Sequence, residues 1–533
     1  MKGDTSSGSS DGRICSREFH KYAIKLKKIH AIIPGVLSEK GNTSMKKLFA
    51  MLLVCSLMFS VFQSVSSAEN RPEMPPEGMG QPPEGMGNPP EDMGEPPEGM
   101  GTPPDGLGGG PGGPGGMPGG GSSFSGEYKA VLTVEKDSDL TEDIYSEGKD
   151  EVALLVKDGN VSLTGATVIR HSEDSTGGDT SSFYGVGSAI LATGGNLSVM
   201  NAEIGTDASG AAGVFSYGDG VVTVSDSTIH TLQGTSGGMH VAGGGTLYAS
   251  NLNVLTEGAS SAAIRSDRGS GTMVVDGGSY TSTGSGSPAV YVTADITISN
   301  ASLTATGSEA LCLEGLNSVR LTDCTLEGNM PDQEQNDNTW TVILYQSMSG
   351  DAEVGQGTFE MTGGKLVSLN GGLFYTTNTD SVFVLDHVEI EAAEDSEYFL
   401  RCTGNLNQRG WGKTGQNGAN CSFKAISQSM NGDIVWDSIS TLDLSLTNGS
   451  VLTGAVLDDE SCAGEGGEGG CEMVIDETSR WVVTGDSTLT KLVCAGTMLD
   501  DSGESVTVVS RDGEVLVQGS GAYTVTVESY SEA

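Results

Sequence analysis

A chain of 533 residues is long enough for several compact cores. Its 80 glycines, its aromatic content of only 5%, and the Val, Thr, Ser, Asn and Asp crowded after position 125 instead describe short strands and many turns, which excludes an ordinary helical or α/β enzyme. The formal charge of −43 would repel phosphate backbones and anionic lipid, so nucleic acid and direct membrane binding drop out as partners.

The first legible element starts at Met45. Lys46 and Lys47 precede an apolar stretch from Leu48 to Phe62, and Ser66 and Ala68 supply small residues at −3 and −1 of a cleavage site after Ala68. The stretch is too short for a comfortable membrane span. Cys55 follows the bulky Val54 inside the apolar run, which argues against lipidation there. Residues 1–44 read as an over-extended start. Cleavage would remove ten basic and four acidic residues, moving the formal charge from −43 to about −49, and would leave a secreted chain.

A seven-residue repeat follows, PPEGMGQ from Pro75, PPEGMGN from Pro82, PPEDMGE from Pro89, PPEGMGT from Pro96 and PPDGLGG from Pro103, decaying into a Gly/Pro tract. Paired prolines impose extended polyproline segments and glycines loosen them, so residues 69–124 form a disordered spacer that cannot bury a core.

From there a longer repeat of about 25 residues takes over: AILATGGNLSVMNAEI from Ala189, GVFSYGDGVVTVSDSTI from Gly213, GMHVAGGGTLYASNLNV from Gly238, AIRSDRGSGTMVVDGGSY from Ala263, AVYVTADITISNASL from Ala289 and ALCLEGLNSVRLTDCTL from Ala310. Each unit has two short alternating runs separated by a Gly- or Asp-rich turn, with no helical period between them. Strand alternation points Ile190, Val214, Met239, Ile264, Val290 and Leu311 inward in the first run. It does the same for Leu197, Val222, Leu247, Met273, Ile296 and Val319 in the second, and for Ile204, Ile229, Val254, Tyr280, Leu303 and Leu326 just beyond. Asn201, Asp226, Asn251, Gly277, Asn300 and Asp323 follow the second run at spacings of 25, 25, 26, 23 and 23, as a ladder of turns for residues that tolerate left-handed backbone.

These rungs resemble the right-handed parallel β-helix of the pectate-lyase-like superfamily. SSAAIRSDRGSG, SGSPAVYVTADI and ILYQSMSGDAEVG resemble more closely a group of secreted, adhesin-like β-helix proteins of anaerobic bacteria. The resemblance implies an all-β solenoid over roughly 125–490, on the cell surface or free outside the cell. The expected layout is an N-terminal extension at 1–44, a signal peptide at 45–68, the spacer at 69–124, the β-helix at 125–478 and a C-terminal β cap at 479–533. Insertions run from Arg170 to Gly187 and from Asn329 to Asn338.

Seven cysteines follow the leader, none in a CxxC pair, which disfavours zinc. Cys402 with Cys421 would close a loop containing Trp411, and Cys462 with Cys471 would close CAGEGGEGGC; buried thiols are the alternative. No EF-hand or nonapeptide calcium repeat is present, so no cofactor is expected and calcium has only the acidity of the chain in its favour. The Gly-rich turns lead into strands, never into a GK[ST] helix start, so a phosphate-cradling loop is excluded.

Alternation places Phe215, Tyr217, His240, Arg265, Asp267, Tyr291 and Glu314 outward on one run, as an exposed ridge, with Tyr345, Gln346 and Tyr375 extending it. Aromatic faces stack on pyranose rings and the charged groups bond hydroxyls or carboxylates, so the ridge is expected to bind an extracellular polysaccharide or host glycan. The rival readings are a polysaccharide lyase or glycoside hydrolase, with Arg265 or Arg268 as base and Asp267 with Glu314 as acid or metal ligand, and a structural surface-layer component.

Overall fold

The computed structural model describes residues 124–171, 175–347, 349–394 and 396–532. The expected signal peptide and nearly all of the spacer lie outside them.

The described chain is a parallel β-helix. One sheet stacks thirteen strands in sequence order of coils, from Lys129–Glu135 to Val456–Asp458, every pairing parallel. A typical coil runs through Ala212–Tyr217 on that sheet, turns through Gly218, and continues through Val221–Ser225 and Thr228–Thr231. Coil closes on coil by backbone hydrogen bonding, so each new turn of chain satisfies the donors of the last.

Register follows the apolar columns. Ile190, Val214, Met239, Ile264, Val290 and Leu311 pair in succession. Leu197, Val222, Leu247, Met273, Ile296 and Val319 do so on the second face, and Ile204 through Leu326 on the third. All of these side chains belong to one continuous core. In the later coils, where the repeat is hard to read, Phe359, Phe374, Phe383, Phe399 and Phe423 fill the interior with ring centroids 5.4–6.0 Å apart. The rings replace aliphatic pairs, and edge-to-face contacts supply the packing.

The turn ladder stands as expected. Asn201, Asp226, Asn251, Gly277, Asn300 and Asp323 all have left-handed backbone, with φ between 47° and 70°. Asn251 Nδ2 donates to Asp226 Oδ1 at 3.3 Å across one coil step. The ladder continues through Gly363, His387, Ser427 and Asn448, two of them residues for which positive φ is costly.

All seven cysteines of the body are buried thiols. Cys402, Cys421 and Cys471 belong to the common core, whereas Cys462 lies outside it, and neither the Cys402–Cys421 nor the Cys462–Cys471 bridge is formed. Parallel stacking runs past residue 478 through Arg480–Val483 and Lys491–Cys494, and an antiparallel pair, Thr507–Ser510 with Val515–Val517, turns the chain back at the end.

Candidate functional site

The seven ridge residues do share one side of the first sheet. Phe215 pairs with His240, His240 with Arg265 and Arg265 with Tyr291, while Glu314 pairs with Tyr345 on the neighbouring outward row. They do not form an exposed surface. Phe215, His240, Arg265, Asp267 and Glu314 are at most 8% exposed, and Tyr217 and Tyr291 are half-buried. The expectation of an open glycan-binding ridge is therefore corrected, because segments inserted between coils roof this side of the sheet.

The first roof comes from the chain entry and from the insertion at 170–187, which carries a short helix, Asp179–Tyr184. Its exit, Gly185, has φ 73°, and a Cβ there would sit 2.7 Å from Leu191 Cδ1 and 2.9 Å from Phe215 Cγ, so only glycine lets the helix settle on the sheet. Beneath it Val152, Leu155, Leu191, Ala212, Phe215 and Ala242 make a second, smaller core. Phe124 and Tyr128 close over it, with Tyr128 Oη donating to the Tyr184 carbonyl at 2.8 Å and the Tyr184 and Tyr217 rings meeting edge-on.

The charged ridge residues are tied into this roof. Arg265 Nε donates to Asp267 Oδ2 at 2.8 Å, Nη1 to the carbonyls of Thr235 and Ser236, and Nη2 to Ser182 Oγ on the helix at 3.2 Å. The guanidinium is thus committed on every side. His240 stacks on Phe215 at 4.2 Å, and its Nε2 lies 3.2 Å from Asp267 Oδ2 but out of line for a hydrogen bond. Burial pushes the imidazole down to about 4 against the pull of Asp267, while the Arg265 charge holds Asp267 below the usual carboxylate range despite its burial.

A pH dependence follows. The unfolded chain takes up a proton on His240 below about pH 6.5, the folded chain only near 4, so folding loses stability as pH falls through that window and is unaffected above it. The full loss is on the order of 3 kcal/mol. Denaturant titrations at pH 7 and pH 4.5 should show it, and His240→Gln should flatten the difference. Paired carboxylates such as Asp476 and Asp500, held down to about 2, respond only below this window.

The second roof lies further along. Cys312, Met330, Trp340, Ile343, Tyr345 and Tyr375 form a third core under the segments around 329–338, 346–355 and 405–417. Here Glu314 is buried and accepts from Tyr291 Oη at 3.0 Å, Tyr345 Oη at 3.1 Å and the Ser347 amide at 3.2 Å. Burial nonetheless raises its carboxyl above the ordinary range, and burial beside Glu314 drives the Tyr291 hydroxyl well above 10.

Between two of these segments a narrow crevice opens to solvent, with room inside for about one water-sized group. Trp340, Tyr375 and Trp411 line it with Asn336, Asp337 and Arg409. The half-buried Trp411 ring packs 4.4 Å from Tyr345 and 6.0 Å from Trp340, and Arg409 lies 5.5 Å over its face. Arg409 Nε donates to Asn336 Oδ1 at 2.5 Å and the Leu406 amide to Asp337 Oδ2 at 2.7 Å, clipping one loop to the other. Asn417 holds the loop from below, donating to the carbonyls of Asn405 and Trp411.

Of the residues singled out from sequence, Tyr345 and Tyr375 reach this place, and Trp411 enters it from the loop between Cys402 and Cys421. Trp340, Asn336 and Arg409 were not foreseen. Their signal was present in TWTVILYQ, a strand apolar on both parities, which in a sheet means cover on both faces. Among the described residues no three His, Cys, Asp or Glu side chains converge as a metal site. No family model and no curated protein matches the chain.

Proposed function

We propose that the chain is a secreted or cell-surface, adhesin-like β-helix that binds an extracellular polysaccharide or host glycan, and that binding is centred on the Trp411 crevice. The observation that carries this is a half-exposed tryptophan, backed by Trp340 and Tyr375 and flanked by amide and guanidinium groups, on a rigid solenoid. A flat ring with hydrogen-bonding neighbours suits the apolar face and hydroxyl rim of a pyranose, and loops fixed to a stiff scaffold hold such groups in place. The strongly negative formal charge of −43 favours neutral sugars over polyanions at long range.

The test is a glycan panel read by calorimetry and tryptophan fluorescence, comparing the wild type with Trp411→Ala. The loop is held by Asn417 on the carbonyls of Asn405 and Trp411, so the variant should keep the loop in place and lose binding by about a hundredfold, in the range of a buried aromatic anchor. Unchanged binding would remove the crevice from the site. New reducing ends or unsaturated products on the same panel would replace binding with lyase or hydrolase chemistry.

A further inference from the structure

We infer that the inner end of the crevice is a subsite for a sugar substituent bearing a carbonyl-type acceptor oxygen, an acetamido group or a carboxylate; this rests on the glycan reading above. The argument is one of unspent hydrogen bonds. Buried donors and acceptors in folded chains are nearly always paired, so those left over mark where something else belongs. Most polar groups of the crevice wall are committed. Asn405 gives its amide to Thr377 Oγ1 at 2.9 Å and accepts from the Asn407 amide at 2.8 Å. Tyr375 donates to the Gly404 carbonyl at 3.4 Å. Asp337 is taken by Leu406.

Two buried groups of the wall have no partner, Trp340 Nε1 and Asn336 Nδ2. Trp340 is 2% exposed, and its indole N–H finds no acceptor on the protein. The orientation of the Asn336 amide is fixed, because Arg409 can only donate and must therefore face Oδ1, which leaves the NH₂ end turned the other way. Both unspent groups are donors. Whatever enters must accept, and the inner space suits one water-sized group. A hydroxyl can accept too, yet it brings a proton that neither of the two buried donors can take, so a carbonyl or carboxylate oxygen is the better match. With Trp411 under a pyranose ring, a substituent on that ring can reach inward while the rest of the polymer continues over the surface.

The experiment uses the full chain and three soluble probes, a β-1,4-linked N-acetylglucosamine oligomer, an oligogalacturonate and a β-1,4-glucan oligomer of equal length. The acetylated or the uronate oligomer should bind at least about tenfold tighter than the glucan, the equivalent of one well-placed buried hydrogen bond. Trp340→Phe keeps an aromatic ring and removes the N–H, and Asn336→Asp replaces the donor by acceptors on a partly exposed loop. Each should erase the tenfold preference. Preference for the uronate that fades with salt identifies a carboxylate, and a salt-insensitive preference for the acetylated oligomer identifies an acetamido group. Equal binding of all three, untouched by either substitution, overturns the subsite while leaving the glycan reading in place. Failure of every probe to bind overturns the glycan reading and the subsite with it. Asn336→Asp keeps the test decisive if Trp340→Phe folds poorly.

Discussion

Ile298→Asp should disrupt the middle of the solenoid, while Thr297→Asp, one residue away, should be nearly silent. Ile298 is fully buried between Val275 and Leu321, two residues along from the Ile296 column on the same face, and a carboxylate there would meet only apolar side chains. The expected cost is on the order of 4–5 kcal/mol, set by an unpaired buried charge and lost packing. Thr297 is exposed and pairs laterally with Val274 and Arg320, so an acidic side chain gains a cationic neighbour and its effect should stay within about 0.5 kcal/mol. Urea unfolding of the two variants checks this. Equal sensitivity would mean the strand register is wrong by one residue, since such a slip exchanges the two faces.

Asp267→Ala should be the second large effect, and it acts on the outer side of the thirteen-strand sheet. Removing the carboxylate strands the Arg265 guanidinium in a buried site beside His240, which on the experience of broken internal ion pairs costs about 3–5 kcal/mol. Replacing both partners, Arg265→Met with Asp267→Leu, should recover part of the loss by removing the stranded charge. Recovery should be incomplete, because the carbonyls of Thr235 and Ser236 and the hydroxyl of Ser182 lose the donor they share. Hydrogen exchange should show where the damage lies: the amides of Asp179–Tyr184 should lose protection before the coils do, since that helix is joined to Arg265 through Ser182. Loss of protection spread evenly along the solenoid would argue that the helix is an integral part of the core.

The coils were readable because strand alternation and turn chemistry repeat. Ile190 to Leu311 can be aligned by eye, and Asn201 to Asp323 occur where left-handed backbone is needed, so local preference and global fold agree. The roofs were not readable in the same way. Alternation separates inward from outward but cannot say whether outward means solvent, because that depends on segments such as 170–187 whose own sequence has no period. Leu155, Leu191, Ile343 and Tyr375 held the clue, apolar residues on the parity assigned to the surface. Arg265 and Asp267 concealed it, being charged side chains that face each other under the helix where their types suggest water. The crevice was harder still, since residues 335–340, Tyr375 and residues 405–411 are three separate stretches that only the stacking of coils brings together.

The thirteen-strand sheet also has a mechanical meaning. Its strands lie across the stacking direction, so the stack is about 60 Å long at a coil spacing of roughly 4.8 Å, while the same chain drawn out would exceed that by more than tenfold at about 3.4 Å per residue. Tension applied between the two ends would load the coil-to-coil hydrogen bonds one rung at a time, as a zipper is loaded, and each rung depends mainly on its neighbours. Single-molecule stretching should therefore give a train of low-force steps of about 25 residues of released chain, one per coil. A solenoid built this way yields gradually under load and lengthens coil by coil.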